Sequence, residues 1–205
     1  MKLAILGASG HGKVVADTAE SCGWQLIEFF DDAWPGLHAN GVWPVVGDTA
    51  ALIRRLADFD EVLVAIGNNR IRHNKILELG EAGANLATLV HPAAMVSRYA
   101  AIAEGTVVFA GAVVNADARI GQGGILNTGC SIEHDCVLGS AVHVSPGARL
   151  AGGVHVGDFS WIGIGASVRQ LVRIGQRVMI GAGSAVVCDI PNDVTVAGVP
   201  AKRMR

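Results

Sequence analysis

The chain has 205 residues, of which 51% are hydrophobic and only 5% aromatic, and its formal net charge is −2. No cluster of Lys and Arg forms a basic stripe, which argues against nucleic acid as the main partner. No segment reaches the ~18–20 apolar residues of a membrane span, and the N-terminus has the pattern of a strand and not of a signal peptide, so the cytoplasm is the expected location.

The first ninety residues alternate between strand and helix patterns. The predicted elements are strands over 2–6, 25–30, 61–66 and 85–90, and helices over 14–22, 48–56 and 70–80. Asp48 is the predicted N-cap of the middle helix. Regular alternation of this kind predicts a small Rossmann-like α/β domain with a parallel sheet. We place its end at residue 91, where His91-Pro92 interrupts the pattern.

A Gly-rich turn follows the first strand. Backbone N–H groups in a turn that contains Gly7, Gly10 and Gly12, together with the N-terminus of the next helix, form a site for a phosphate or diphosphate. Asp31 and Asp32 follow the second strand, where Rossmann proteins place an acid that accepts hydrogen bonds from a ribose. The spacing Gly-x-x-Gly-x-Gly differs from the NAD fingerprint. A nucleotide or nucleotide sugar is therefore favoured, with NAD and a purely structural turn as alternatives.

A strict six-residue period starts at Val96. Sixteen consecutive positions at this spacing are Ile, Val or Leu: Val96, Ile102, Val108, Val114, Ile120, Leu126, Ile132, Leu138, Val144, Leu150, Val156, Ile162, Val168, Ile174, Ile180 and Val186. Neither a helix nor a simple strand has this period, whereas the hexapeptide repeat of a parallel β-helix does. We expect a second domain over residues 92–205, with roughly five triangular coils.

Each aliphatic residue of the repeat should point inward and stack on its counterpart eighteen residues away. Such coils turn left-handed, as an exception to the usual crossover rule. The glycines that follow the aliphatic positions, such as Gly121, Gly139 and Gly157, are interpreted as corner residues with positive φ. Cys130 and Cys136 fall on small inward positions, and the four cysteines indicate neither a disulfide framework nor a metal site.

Polar residues that interrupt the repeat are the candidates for chemistry, because the coil itself needs only aliphatic residues. Asn127, His134, Asp135 and His143 lie within one coil's length, together with Glu133. His134 comes two residues after an inward aliphatic and should point outward near a corner. Asp135 beside it is placed to hold one ring nitrogen, fix the tautomer and raise the basicity of the other, as in a general base.

The two other histidines of the coil are weaker candidates. His143 is evenly balanced between a ligand contact and a surface residue, and His155 is interpreted as a surface residue.

These motifs together carry a resemblance to a known family. The chain resembles the bacterial hexapeptide-repeat acetyltransferases that modify nucleotide-linked amino sugars, namely UDP-4-amino-sugar (bacillosamine-type) N-acetyltransferases, perosamine N-acetyltransferases and sialic acid O-acetyltransferases. The motifs are residues 7–12, 31–32, 65–69, 91–92, 126–128, 132–136 and the tail 198–204. The tail alone marks only hexapeptide acyltransferases in general.

The resemblance implies acetyl-CoA as donor, no metal, and a homotrimer with sites between subunits. It implies His134 as the base and Asp135 as the acid that tunes it. The nucleotide-sugar residues that it implies are Ser9, Gly10, His11, Asp31, Asp32, Gly67 and Asn127. The acetyl-CoA residues that it implies are His143, Gly152, Ile164, Gly181 and Ala182. Two positions depart from the family, since Asp135 stands where the bacillosamine-type enzymes carry Glu, and Ala182 stands at a coenzyme-contacting Gly.

The expected reaction is direct acetyl transfer from acetyl-CoA to the amine of a nucleotide-linked amino sugar, most simply a UDP-4-amino sugar. His134 would take the proton, the backbone N–H of Gly152 would stabilise the oxyanion, and no acyl-enzyme would form. Two alternatives stay open at this point. One is O-acetylation of sialic acid or another sugar hydroxyl, and the other is a non-catalytic β-helix module that senses a nucleotide.

Overall fold

The structure is a computed structural model that describes residues 1–204. It divides into two compact units, the first spanning Met1–Pro92 and the second beginning at Ala93. Within the described residues, no helix combines the length and the hydrophobicity needed to cross a membrane.

The first unit is built on a parallel sheet. Its elements in chain order are β1 (Lys2–Leu6), α1 (Gly10–Ser21), β2 (Leu26–Phe30), β3 (Ala39–Asn40), β4 (Trp43–Pro44), α2 (Thr49–Arg54), a 3-10 turn (Leu56–Asp58), β5 (Glu61–Val64), α3 (Asn69–Glu81) and β6 (Leu89–Val90). Strands β2, β1 and β5 pair in that order, all parallel. Residues 3–6 of β1 are all buried, as the central strand of a parallel sheet covered on both faces requires.

The sequence predictions for this unit are confirmed with two differences. Asp48 caps α2, because its carboxylate accepts a hydrogen bond from Ala51 N at 2.7 Å. Helix α1 begins at Gly10 and not at residue 14, and it includes Gly12, where a Cβ would meet Phe29 Cε1 at 3.0 Å. The predicted last strand shrinks to β6, with Leu86 making only an isolated bridge to Val62.

The second unit is a parallel β-solenoid, as the hexapeptide period predicts. Sixteen two-residue strands each end on one of the sixteen aliphatic positions: Met95–Val96, Ala101–Ile102, Val107–Val108, Val113–Val114, Arg119–Ile120, Ile125–Leu126, Ser131–Ile132, Val137–Leu138, His143–Val144, Arg149–Leu150, His155–Val156, Trp161–Ile162, Ser167–Val168, Arg173–Ile174, Met179–Ile180 and Ala185–Val186. Two more, Thr195–Ala197 and Lys202–Arg203, follow.

The solenoid has three faces. The first face carries the six strands from Met95–Val96 to Ala185–Val186, the second carries the five from Ala101–Ile102 to Arg173–Ile174, and the third runs from Val107–Val108 through Met179–Ile180 to Thr195–Ala197. There are thus about six turns where roughly five were expected, because Val196 pairs with Ile180 beyond the end of the strict period. The left hand of the coil stays a prediction.

The interpretation of the glycines was wrong. Positive φ falls three residues after the aliphatic position and not one, as at Gly129 (φ 65°) after Leu126. The glycines directly after the aliphatic residues serve close stacking instead. A Cβ on Gly121 would fall 2.6 Å from the carbonyl carbon of Gly139 in the next turn, a separation that atoms of packed protein interiors do not adopt.

Candidate active site

One edge of the solenoid, where the first face turns into the second, carries the predicted base. Positions in successive turns lie eighteen residues apart, so equivalent residues stack in columns along the edge. The two columns that matter are His134, Gly152 and Gln170, and beside them Asp135, Gly153 and Leu171. Backbone hydrogen bonds join the turns, from Gly153 N to His134 O at 2.9 Å and from Leu171 N to Gly152 O at 3.0 Å. We call this stretch the His134 edge.

Asp135 holds the imidazole of His134 in one tautomer. Its backbone is in the left-handed region (φ 59°), which Asp adopts more readily than most residues. Its Oδ2 lies 2.7 Å from His134 Nδ1. An ionised carboxylate only accepts, so Nδ1 carries the proton and Nε2 presents a lone pair. Both side chains are about two-thirds exposed (67% and 65%). The pair therefore adds little to stability and acts by orienting the ring.

Gly152 forms the floor beneath the imidazole. A Cβ built on this residue would fall 2.5 Å from both Cε1 and Nε2 of His134, so only glycine leaves room for the ring in this position. Among the described residues, the Gly152 N–H donates to no protein acceptor. The nitrogen with the lone pair thus lies against a residue whose backbone N–H has no protein partner, and base-assisted acyl transfer needs both a base and a donor of this kind.

A pocket of about 540 Å³ opens at this edge. Its lining residues are His134, Asp135, Gly152, Gly153, His155, Gln170 and Leu171. His155, interpreted from the sequence as a surface residue, is half-buried and lines the pocket. Sequence reasoning missed Gln170 and Leu171, although counting thirty-six residues from His134 and Asp135 would have found them.

His143 lies on the third face and is 6% exposed. Its Nε2 is 3.2 Å from Asn127 Nδ2, and its ring stacks at 4.1 Å on the ring of Trp161 one turn later. The amide oxygen of Asn127 accepts from Thr128 N at 2.8 Å, which leaves the amide nitrogen directed to the imidazole. The structure therefore brings the half-buried Asn127 and the buried His143 together as one polar pair.

Ile164 and Ala182 stack one turn apart on another edge, where the third face turns into the first. Gly183 N donates to Ile164 O at 2.8 Å, and the side chain of Ile164 is 56% exposed. Gly181 precedes Ala182, and a Cβ on it would meet Ala197 Cβ at 2.8 Å. In one chain the whole first face separates these residues from Gly152. The structure thus does not bring all the predicted acetyl-CoA residues together within one chain.

The predicted nucleotide-sugar residues of the first unit gather at one edge of its sheet, whereas Asn127 belongs to the second unit. The Gly-rich turn follows β1, Asp31 follows β2 and Gly67 follows β5, so all lie at the carboxyl ends of adjacent parallel strands. Ligands bind at this edge in open α/β sheets. Ser9 is the N-cap of α1, and its exposed side chain makes no capping hydrogen bond.

Both acids at this edge have structural partners. Asp31 Oδ2 accepts from Ala8 N at 2.7 Å, which fastens the Gly-rich turn to the end of β2. Asp32 Oδ1 accepts from Thr49 N at 3.0 Å, and its other oxygen lies 3.6 Å from Lys75 Nζ. Hydrogen bonds from Thr49, followed by the charge of Lys75, lower the pKa of Asp32. Each carboxylate keeps capacity to accept further hydrogen bonds.

A buried cation lies beneath the same edge. The guanidinium of Arg72 is 1% exposed and donates to the carbonyls of Ile66 and Gly67 at 2.9 and 3.1 Å. Burial lowers its pKa to about 10, so it stays charged at neutral pH. Burial, and then the charge of Arg72, lower the pKa of His11 from 6.5 to about 4, so His11 is neutral there.

The thiols offer no nucleophile in the pocket. Cys130 and Cys136 are fully buried in the solenoid core, and burial raises the pKa of both thiols, that of Cys130 to about 12. The reactive form of cysteine is the thiolate, which such burial disfavours. Across residues 1–204, no group of three or more His, Cys, Asp or Glu is placed to hold a metal ion.

Comparisons with known proteins agree with this architecture. The profile of the PglD N-terminal domain family matches residues 2–79. UDP-N-acetylbacillosamine N-acetyltransferase of Bacillus subtilis (strain 168) is 41% identical over 108 residues, which cover 51% of this chain and 50% of that protein. The alignment thus spans about half the length of this curated relative.

Two solved structures match nearly the whole chain. The acetyltransferase domain of PglB from Neisseria gonorrhoeae FA1090, in complex with acetyl coenzyme A, is 44% identical over 99% of this chain and 98% of that one, with a TM-score of 0.95. A point mutant of perosamine N-acetyltransferase from Caulobacter crescentus, in complex with CoA and GDP-perosamine, is 39% identical over 100% of this chain and 97% of that one, with a TM-score of 0.96.

Proposed function

Because this chain belongs to the family of bacterial hexapeptide-repeat nucleotide-sugar acetyltransferases, we propose that it transfers the acetyl group of acetyl-CoA to the amine of a nucleotide-linked amino sugar. One observation supports this most directly, namely that His134 Nε2 presents its lone pair in an open pocket and lies against Gly152, whose N–H has no protein partner among the described residues. The names of the relatives favour a UDP-linked 4-amino sugar, with a GDP-linked one as the nearest alternative.

The proposed step is direct acyl transfer. The amine nitrogen attacks the thioester carbon, and a C–N bond forms as the C–S bond breaks. His134 Nε2 takes the proton that the amine loses, and the imidazolium then returns a proton to the departing CoA thiolate. The Gly152 N–H donates to the carbonyl oxygen while it carries negative charge. Asp135 stabilises the imidazolium through Nδ1, as the acid does in the Ser-His-Asp arrangement.

The nucleotide would bind at the edge of the first unit. The uncapped N-terminus of α1, with Ser9, Gly10 and His11, suits the diphosphate because its N–H groups carry partial positive charge. Arg72, charged and buried beneath Gly67, adds a favourable field for an anion. Asp31 and Asp32 would accept hydrogen bonds from the nucleoside with the lone pairs that their structural partners leave over.

The acetyl-CoA site would form between subunits of a homotrimer. Two facts support this. The side chain of His134, the proposed general base, is 67% exposed in the single chain. Ile164 and Ala182 lie on a different edge of the solenoid from Gly152. If the His134 edge of one chain meets the Ile164 edge of the next around a threefold axis, both residue sets line one groove. Asn127 and His143 would then line the same groove from the third face.

The experiment is thiol release from acetyl-CoA by the purified protein with a panel of acceptors: UDP-4-amino sugars, GDP-perosamine, dTDP-amino sugars and free sialic acid. We expect release with one nucleotide amino sugar and an N-acetylated product. Release with sialic acid alone would instead mean O-acetylation. Failure to bind acetyl-CoA would favour a non-catalytic nucleotide-sensing module.

A further inference from the structure

Leu171 combines three unusual properties at the mouth of the pocket. Its backbone φ is 62°, in the left-handed region that bulky residues rarely adopt because of its steric cost. Its side chain is 75% exposed, so little burial within the described chain offsets this cost. It also stands directly above Gly153 in the column that contains Asp135. Strained positions of this kind cluster at functional sites.

The neighbours of Leu171 in its column do not share this strain. Asp117, Asp135 and Gly153 hold φ of 60°, 59° and 67°, and all three are of types that tolerate the left-handed region. Phe159 has a similar φ of 62° on another edge, but it is half-buried. Leu171 is thus the bulky residue of this column whose side chain finds no burial in its own chain.

The side chain of Leu171 reaches back over the corner that carries the reacting groups. Its Cδ2 lies 2.8 Å from where a Cβ on Gly153 would stand, so the leucine covers the residue next to Gly152. The other lining residues are two histidines, an aspartate, a glutamine and two glycines, which makes Leu171 the aliphatic wall of the pocket as the structure describes it.

We propose that Leu171 sets the size of the acyl group by packing against the methyl of the acetyl group, an inference that rests on the proposed function. The thioester carbon must lie near both the Gly152 N–H and the amine whose proton goes to His134 Nε2. The one apolar substituent on that carbon is the methyl group, and the aliphatic side chain that lines the pocket and covers the neighbour of Gly152 is Leu171. The ring of an amino sugar carries mostly polar groups, which match His155 and Gln170 better.

The test compares acetyl-, propionyl- and butyryl-CoA as donors for the wild type, Leu171→Ala and Leu171→Gly. One methylene in an apolar pocket changes kcat/KM by roughly 10- to 200-fold. We therefore expect the ratio of kcat/KM for propionyl-CoA to that for acetyl-CoA to rise at least about tenfold in both variants. Leu171→Gly also removes the strain of the positive φ, which Leu171→Ala retains. The same rise in the donor ratio in both variants would therefore assign the effect to loss of the side chain and not to φ.

Phe159→Ala is the matched control, because it removes a bulky residue with the same φ from a different edge, and its donor ratio should not change. Each ratio is measured within one protein, so a partly folded variant does not distort it. An unchanged ratio in active Leu171 variants would overturn the inference, and a raised KM for the nucleotide sugar alone would assign Leu171 to the acceptor instead. Absence of turnover by the wild type with every donor and acceptor would overturn the proposed function, and with it this inference.

Discussion

The imidazole of His134 rests on the backbone of Gly152, because a Cβ at residue 152 would fall 2.5 Å from its Cε1 and Nε2. Gly152→Ala must therefore displace the ring, although it retains the backbone N–H. A displacement of about 1 Å can cost a factor on the order of 10² in rate, so we expect kcat to fall roughly 10- to 100-fold. Steady-state kinetics would check this, with KM for the nucleotide sugar expected to change little.

Gly80→Ala is the matched control for this substitution, since its Cβ would meet nothing within 4 Å and the change should leave the rate unaltered. In a His134→Ala background, Gly152→Ala should cost almost nothing further. If Gly152→Ala lowered kcat in the His134→Ala background by the same factor as in the wild type, Gly152 would act independently of the ring.

Asp135 orients His134, and its acceptor-only carboxylate can be removed separately from its left-handed backbone. Asp135→Asn keeps a residue that tolerates the left-handed backbone but replaces the acceptor-only carboxylate, so the preferred tautomer is lost. We expect kcat to fall roughly 10- to 100-fold, less than the 10²–10⁴ that a general base itself contributes. Asp117→Asn is the control, because Asp117 holds φ of 60° one turn earlier and lies outside the pocket. Equal losses in both variants would contradict the orienting role.

Asp31 fastens the Gly-rich turn through Ala8 N, at the edge where we place the nucleotide. Asp31→Ala should therefore raise KM for the nucleotide sugar about tenfold or more, the effect of losing hydrogen bonds to a charged group, while KM for acetyl-CoA stays the same. Asp60→Ala is the control, since Asp60 makes the same kind of bond, to Lys2 N at 2.7 Å, at the other end of β1. If both KM values rose together in the Asp31 variant, the two substrates would not occupy separate units.

His11 makes the stability of the fold depend on pH. Its pKa is about 4 in the folded state against 6.5 unfolded, so the unfolded chain binds the extra proton first as the pH falls. Stability is therefore lost between pH 6.5 and 4, by up to about 3 kcal/mol at 1.4 kcal/mol per pKa unit. Urea unfolding at several pH values should show a flatter dependence for His11→Asn. The exposed His38→Asn should keep the wild-type slope, and identical slopes in all three proteins would refute the role of His11.

The sequence alone predicts the solenoid well because the pattern that specifies it repeats within every six residues. Every aliphatic residue at the six-residue spacing ends a two-residue strand, since each must point into the same narrow core. The role of the glycines was harder to predict, because close stacking between Gly121 and Gly139 depends on the next turn and not on the local backbone.

The pocket is less visible in the sequence. His155, Gln170 and Leu171 join His134 only through the eighteen-residue stacking of turns, and nothing in their local sequence distinguishes them from surface residues. The structural partners of Asp31 and Asp32 are likewise long-range contacts. A pair of acids after a strand indicates a nucleotide edge, but it does not show that one acid fastens the turn at Ala8 and the other accepts from Thr49 N at the start of α2.

The central claim is that His134 is the base of an acetyl transfer to a nucleotide-linked amine, and kcat for thiol release by His134→Ala tests it most directly. With the acceptor identified from the panel and acetyl-CoA saturating, we expect a loss of two to four orders of magnitude, roughly what a general base contributes. Binding of acetyl-CoA should persist in the variant, which shows that the protein is folded. A loss below about tenfold, well short of that range, would contradict the claim.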